Sequence, residues 1–470
     1  MRGVAKGVAA GVMSLVLAAG AAFAQQSQDS VEELKKQVSE LQRKASEVDA
    51  LKKRVETLEN QPPTLQPSLL PAGVPVNLAE DPMPQAAPPD VTVLNTWLKD
   101  IKLSGFLDIG YTQNFNNPKA PQVNVGRSFD TASDSFMPNM MELMLERVAT
   151  ADSPAGLRMK IGAGKDAGVL AGTENWGGTP SDNFTVVELY AEYLAPIGKG
   201  VDFKIGKMAT LAGYEVIESK DNWSYSRSLL FTWAIPLTHT GIRASYAIID
   251  PVSASAAGPL VNLTLGIMNG WNVVVDNNTG KTLEAQIGIN PTDWITAAGT
   301  IYYGDDPNGV PTVNYSKRFV FDWVTTVTRG DWKFGVNYDY GSQQHGNTTA
   351  PHDSAEWDGV AGYVRWQVTR WNAPSIRIET LRDEDGFISA GQGANPAVSI
   401  FSIANNGAPV PHVSIREFTL ADEITINSNL TFRLEIRRDW ATQAIFQEGR
   451  NTTKGKKSDD TLGAEAIFRF

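Results

Sequence analysis

Charged residues recur at every second position along much of this chain, and that spacing limits what they can do. In LTFRLEIRRDW, Arg433, Glu435 and Arg437 alternate with Phe432, Leu434 and Ile436. In GLRMKIGAG, Arg158 and Lys160 alternate with Leu157, Met159 and Ile161. Glu188, Glu192, Lys204, Arg243, Arg365, Arg377 and Arg416 are further candidates for an inward polar face on the strength of their charge, with Glu284, Glu379 and Glu465 as further acids. A second set, Glu215, Glu218, Lys220, Asp221 and Arg227, is crowded into GYEVIESKDNWSYSRSLLFTWAIP. Rows of fixed charge facing water sort ions by sign without making or breaking bonds. Two arrangements stay open. The arginines can set up a transverse field against Glu215, Glu218 and Asp221 across an enclosed space, or they can pair along the wall with Glu379 and Glu435.

Bond-making chemistry finds little support. There is no cysteine, so disulfides, thiolate metal sites and thiol nucleophiles are excluded. The four histidines form no HExxH pattern. DDPNG at Asp305 and RDEDG at Asp383 lack the full spacing of a calcium loop and read as turns. Ser226 and His239 sit in no nucleophile motif. The reading is a non-enzyme without a cofactor. The formal charge of −11 repels phosphate backbones and argues against a nucleic-acid partner.

The elements that carry these charges read as β-strands. From about Trp97 to Phe470 apolar and polar residues alternate with a period of two, as in IKLSGFLDIGYTQ, TVVELYAEYLAP (Val187, Leu189, Ala191 and Tyr193 opposing Glu188, Tyr190 and Glu192) and TLGAEAIFRF. The strands approach the ~9–11 residues that cross a bilayer at a tilt. Aromatics such as Tyr193, Trp332, Trp366, Trp371 and Trp440 gather near their ends. Sixteen strands are predicted. Tight turns (ADSPAG, APIGKG, NPTD, TRGD, RWNAP) alternate with long loops near 114–138, 166–183, 208–238, 304–316, 342–357, 383–411 and 441–459. The expected fold is an all-β, transmembrane, up-and-down antiparallel barrel at 97–470, wide enough for water.

The loop at 208–238 is the longest puzzle in this frame. Trp223, Tyr225, Leu229, Leu230, Phe231, Trp233 and Ile235 are too apolar for a solvated segment, since each large side chain gains roughly 1.5–3 kcal/mol on burial. The expectation is that the loop folds inward, SLLFTWAIP packing on the wall and the charged half facing water. An outer lid or a subunit contact is the alternative.

Three segments precede the barrel. Residues 1–24 read as a signal peptide, with basic MRGVAK, an apolar run and AFA before Gln25. Residues 25–60 carry a 3-4-3-4 apolar seam (Val31, Leu34, Val38, Leu41, Ala45, Val48) that resumes at Leu51: a periplasmic α-helical coiled coil. A seam that narrow calls for self-association. Residues 61–96 form a Pro-rich linker.

LSGFLDIGYTQNFN (Leu103 to Asn116), RSFDTASDSFMPN (Arg127 to Asn139) and YLAPIGKGVDFKIGKMATLAGYEVIESKDNWSYSRSLLFTWAIPLTHTGIRASY (Tyr193 to Tyr246) carry a resemblance to the OmpL-like family of outer-membrane β-barrel porins. It spans Leu103 to Phe470, strongest through the third loop, and implies an outer-membrane channel of a Gram-negative-type bacterium in contact with lipid. It brings no catalytic residues. Some trimeric porins carry similar rods, which favours a trimer by analogy. Phe470, in register with Phe468, resembles the signal read by barrel assembly machinery. The function expected is passive diffusion of small hydrophilic solutes or ions. The alternatives are a substrate-specific porin and a structural barrel whose rod reaches the peptidoglycan.

Overall fold

The computed structural model describes residues 100–470 apart from 119–123, 175, 177–181, 254, 277, 307–315, 347–352, 390–409 and 450. The expected signal peptide, coiled coil and linker lie outside the described residues.

Sixteen antiparallel strands close into a barrel. They are β1 (Lys102–Asn114), β2 (Ser135–Arg147), β3 (Ala155–Ala163), β4 (Phe184–Ala195), β5 (Val201–Ala209), β6 (Thr238–Ile249), β7 (Val261–Met268) and β8 (Thr282–Ile289). There follow β9 (Ile295–Asp305), β10 (Lys317–Arg329), β11 (Trp332–Gln343), β12 (Ala355–Trp366), β13 (Asn372–Asp383), β14 (Val413–Thr425), β15 (Leu430–Ala441) and, last in the chain, β18 (Ser458–Arg469). Each strand pairs with its sequence neighbour, and β18 pairs with β1 (Asp108 opposite Ile467) to close the ring. Two short strands, β16 (Phe446–Glu448) and β17 (Asn451–Lys456), form a separate hairpin in the last loop.

Alternation fixes the register, because a one-residue slip would turn every side chain to the wrong face. The barrel is inverted relative to a soluble core. On β15, Leu434 and Ile436 are 53% and 59% exposed, while Arg433 and Arg437, which flank them, are at 1%. Exposed apolar and aromatic residues ring the outside, including Ile205, Ile267, Phe334 and Ile378. Trp332 and Trp366 stack on the outer face at 5.1 Å near the short-turn end, the end that also carries exposed Trp371 and Phe470. Such a surface is stable only against hydrocarbon with an aromatic girdle at the interface.

Short connections occupy one end, the tightest at Gly330 (φ 58°), which supplies the positive φ a two-residue hairpin demands. Long loops occupy the other end. L1 spans 115–134, L2 164–183, L3 210–237, L4 269–281, L5 306–316, L6 344–354, L7 384–412 and L8 442–457. Short helix α1 (Lys165–Thr173) lies within L2. L4 is absent from the loops expected of the sequence. Val187 is also corrected. It is fully buried on the inner face, because a bulge at Lys160/Ile161 shifts the β3–β4 register past Glu188.

Candidate functional site

The site is L3 and the wall it touches. Its backbone and side chains reach inward-facing residues on β1, β3, β9, β11, β13 and β15. Thr210 and Leu211 meet the Tyr302 hydroxyl at 3.0 Å. The Tyr214 amide donates to Asn337 at 3.2 Å. Ser219 donates to Asp108 at 2.6 Å, and Glu218 receives the Lys160 ammonium. The aromatic rings need room, and wall glycines leave it. A Cβ on Gly335 would collide with the Tyr214 ring, and one on Gly463 would lie 2.7 Å from Tyr225.

The strongest anchors come from β13–β15. Arg377 donates to Glu215 and to the Ser226 hydroxyl, both at 2.7 Å, and to the Ser226 carbonyl and Glu417, both at 2.8 Å. The Glu379 carboxylate accepts from the amides of Leu229 (2.7 Å) and Leu230 (3.3 Å). Those donors open the π-helical turn Leu230–Ala234, where helix starts expose unpaired N–H groups and favour negative charge. Glu435 accepts from the Ser226 amide at 3.0 Å, and Arg433 donates to the Ser219 carbonyl at 2.8 Å.

L1 completes the network. Arg127 bridges Glu417 (2.6 Å) and Asp439 and donates to the Arg227 carbonyl at 3.0 Å; Arg437 pairs with Asp130 at 2.6 Å. All these charges are buried. A charge removed from water is tolerated only when its partners satisfy it, so the network has to be nearly complete. Burial opposes ionisation of Asp130, but Arg437 and Arg127 outweigh it and hold its carboxyl below the ordinary range. Asp166 of α1 differs. Burial pushes its carboxyl up to about 8, because Arg227, 3.4 Å away, compensates only in part.

The apolar half of L3 is buried against the wall and L1. Leu229, Leu230, Phe231, Trp233 and Ile235 are all inaccessible. The Trp233 indole donates to the Gly126 carbonyl at 3.0 Å, and that of Trp357 to Ala234 at 3.1 Å. The charged half departs from expectation. Only Asp221 is exposed and Lys220 half-buried, whereas Glu215, Glu218 and Arg227 are buried in pairs. A transverse field across open space is not what forms between Arg377 and Glu215, because they touch.

Of the wall residues singled out in the sequence, Arg158, Lys160, Glu188, Glu192, Lys204, Arg243, Arg365, Arg377, Arg433 and Arg437 all take the inward register. Arg416 does not. It shares the outward face of β14 with exposed Phe418 and Leu420, while Ile415, Glu417 and Thr419 point in. The sequence reading took charge alone as the mark of the inner face, and parity within the strand overrules it. Sequence reasoning also missed Asp130, Asp166, Glu417, Asp439 and Arg127. The first and last lie in RSFDTASDSFMPN, a stretch noticed for its resemblance but given no role.

Toward the short-turn end the same inner wall opens. Arg158 (31% exposed) pairs with Glu146, and Lys204 (27%) lies 3.4 Å from both Glu192 and Asp202. A cavity of 240 Å³ lies between L3 and β10–β12, lined by Tyr214, Trp223 and Tyr363 with Glu215, Asp221 and Asn222. Tyr214 and Tyr363 stack at 4.3 Å, and Trp223 meets Tyr214 edge-on at 5.5 Å.

A closed sixteen-stranded barrel, greasy outside and charged inside, with long loops at one end, defines the porin class of outer-membrane proteins. The chain belongs to the family described as "Putative beta-barrel porin-2, OmpL-like", whose model matches residues 100–470. Among solved structures it is similar to an anion-selective porin from Comamonas acidovorans (9% identity, TM-score 0.51, covering 79% of this chain and 99% of that one). It is also similar to the outer membrane channel DcaP of Acinetobacter baumannii (11%, 0.49, 79% and 97%) and to the trimer form of OmpT, an outer membrane protein of Vibrio cholerae (13%, 0.49, 79% and 99%). At these identities the likeness is one of fold, and the Comamonas porin carries it. No curated protein matches the chain.

Proposed function

We propose that the protein lets small hydrophilic solutes and ions diffuse passively across the outer membrane, through a barrel that L3 narrows. The observation that carries this reading is asymmetric solvation of one inner wall. Charges on β13–β15 are covered by L3, while Arg158, Glu192, Asp202 and Lys204 on β3–β5 keep contact with solvent. A loop bound to one side of a wide barrel reduces its bore and leaves polar groups to hydrate a solute. Purified protein in planar bilayers should give stable stepwise conductance, and a silent barrel overturns the reading.

A substrate-specific variant of this reading is favoured by the aromatic cavity beside L3. Stacked rings next to carboxylate and amide groups hold a flat or cationic solute better than a plain aqueous bore does. Solute block of the current would reveal such a site, and no block across a broad panel counts against it.

The segments before the barrel belong to the same proposal. A signal peptide at 1–24 exports the chain, a coiled coil at 25–60 joins copies into a trimer in the periplasm, a linker at 61–96 sets its distance, and Phe470 presents the barrel to the assembly machinery. The rival role, tethering the membrane to peptidoglycan, separates cleanly. Deleting Gln25 to Val91 leaves conductance intact if transport belongs to the barrel.

A further inference from the structure

Arg416 is the residue the sequence reading put on the wrong face, and its position on the outside is informative. The outward face of β14, β15 and β18 is ordered in rows. Leu420, Ile436 and Leu462 are cross-strand neighbours in one row. The next row toward the long-loop end holds Phe418, Arg438 and Asp460, and the one after it Arg416, Trp440 and Ser458. Two cations therefore appear roughly 7–14 Å beyond the last all-apolar row, at ~3.4 Å per residue along the strand. That is where hydrocarbon gives way to lipid head groups, and where the cost of an arginine on the lipid face falls to ~0–1 kcal/mol.

Arg416 and Arg438 are diagonal neighbours, a relation that sets side chains about 7–8 Å apart, within reach of one doubly charged group. Beside them lies a recess of 440 Å³ lined by Arg438, Trp440, Ala441, Lys457 and Ser458. Arg416 and Lys457 are exposed and form no ion pair among the described residues. Arg438 is 59% exposed and among the described residues pairs with Asp460 alone, 3.6 Å away. Arg382 on the same face is different, since Asp358 meets it at 2.7 Å and leaves it little to offer. Three cations against one carboxylate leave a surplus of two positive charges around a recess, next to an interfacial tryptophan.

We propose that this patch binds the phosphorylated head group of an outer-leaflet lipid. Arg416, Arg438 and Lys457 converge on the phosphate oxygens, and Trp440 packs where head group meets acyl chain. Guanidinium suits phosphate because it donates paired, charge-assisted hydrogen bonds. The inference rests on the outer-membrane reading, which puts the long-loop end in the outer leaflet.

The test is lipid retention by the full-length protein, read by native mass spectrometry. Detergent-solubilised protein is titrated with a bis-phosphorylated acylated disaccharide lipid and, separately, with its dephosphorylated analogue. Wild type should hold the phosphorylated form. The triple variant Arg416→Gln, Arg438→Gln, Lys457→Gln should lose at least about tenfold in affinity, as expected when charge-assisted hydrogen bonds are removed. The dephosphorylated lipid should bind wild type as weakly as the phosphorylated lipid binds the variant. Equal binding by wild type and variant, or of both lipids by wild type, overturns the proposal. Inorganic phosphate that displaced the lipid at equal concentration would reassign the patch to a soluble anion and overturn it as well. Planar-bilayer conductance is the separate readout. A variant that conducts normally but has lost lipid shows an intact barrel, whereas lipid binding by a silent protein refutes the channel and leaves this patch standing.

Discussion

Two stretches of the same inner wall carry the same residue types and behave differently. On β13–β15, Arg377, Glu379, Arg433, Glu435 and Arg437 are sealed beneath L3 and L1. On β3–β5, Arg158, Glu192, Asp202 and Lys204 stand partly in solvent. Alternation put both sets on the inner face. What separates them is the loop that lands on one and not the other. A charge in the sealed set acts as an anchor and is priced by desolvation, whereas a charge in the open set acts on passing ions and is screened by water.

The sharpest way to break this contrast is at Arg377. Arg377→Met leaves Glu215 buried without its guanidinium and Glu417 with Arg127 alone, and loss of one partner of such a network costs about 3–5 kcal/mol. The barrel ladder does not depend on that side chain, so the cost should fall on L3. The variant should conduct in larger, noisier steps, and protease should cut between 213 and 236. Removing the opposite charge as well, in Arg377→Met/Glu215→Gln, should recover part of the loss. Unchanged conductance with an uncut loop would show that L3 is held by its apolar half alone.

The strands were readable because period two survives wherever one face is greasy and the other charged. TLGAEAIFRF and LTFRLEIRRDW could be oriented from a few residues each. Arg416 was misplaced although Phe418 and Leu420, in step with it, mark its face as outward. The bulge that turns Val187 inward leaves no trace in TVVELY, since one inserted residue resembles a short apolar run. The partners of L3 were the least readable part. Arg127 and Glu417 are 290 residues apart, and only closure of the barrel brings them together. The apolar content of L3 announced burial, and the glycines that seat Tyr214 and Tyr225 looked like ordinary strand glycines.

Those glycines give a smaller perturbation of the same contact. Gly463→Val places a branched side chain where Tyr225 lies, and overpacking of this kind costs about 1–3 kcal/mol. L3 should become easier to cleave without the conductance change of the arginine variant. Gly362→Val is the matched control, because a Cβ there meets nothing within 4 Å. Equal protease sensitivity in the two variants would mean that Tyr225 has no fixed seat.

Asp166 tests the sealed region by pH. Its carboxyl is raised to about 8 by burial, with Asp108 and Asp130 adding repulsion and Arg227 and Lys165 opposing them. The folded state therefore holds the proton more tightly than the unfolded one. The stability it contributes is complete below pH ~4, declines as pH rises, and is gone above about 8. Protease cleavage of L3 should grow across that window in wild type and level off beyond it. Asp166→Asn, which cannot ionise, should remove that part of the pH dependence while matching wild type at low pH. Parallel profiles for the two proteins would assign the dependence to another group.

The open wall offers the smallest effect and the cleanest contrast. Around Lys204, Arg158 and Lys160 stand Glu146, Glu188, Glu192 and Asp202, so anions outnumber cations by one and a weak preference for cations is expected. Partly exposed pairs of this kind are worth about 0–1 kcal/mol, which allows a modest bias and no tight binding. Glu192→Gln with Asp202→Asn should move the reversal potential in a salt gradient toward anion preference, and Lys204→Gln should move it the other way. Both shifts should shrink as salt rises, because solvated charges are screened over a Debye length. L3 should stay uncut throughout, since none of these three residues touches it. If instead these substitutions released the loop and left selectivity alone, the division between anchoring charges and conducting charges would fail.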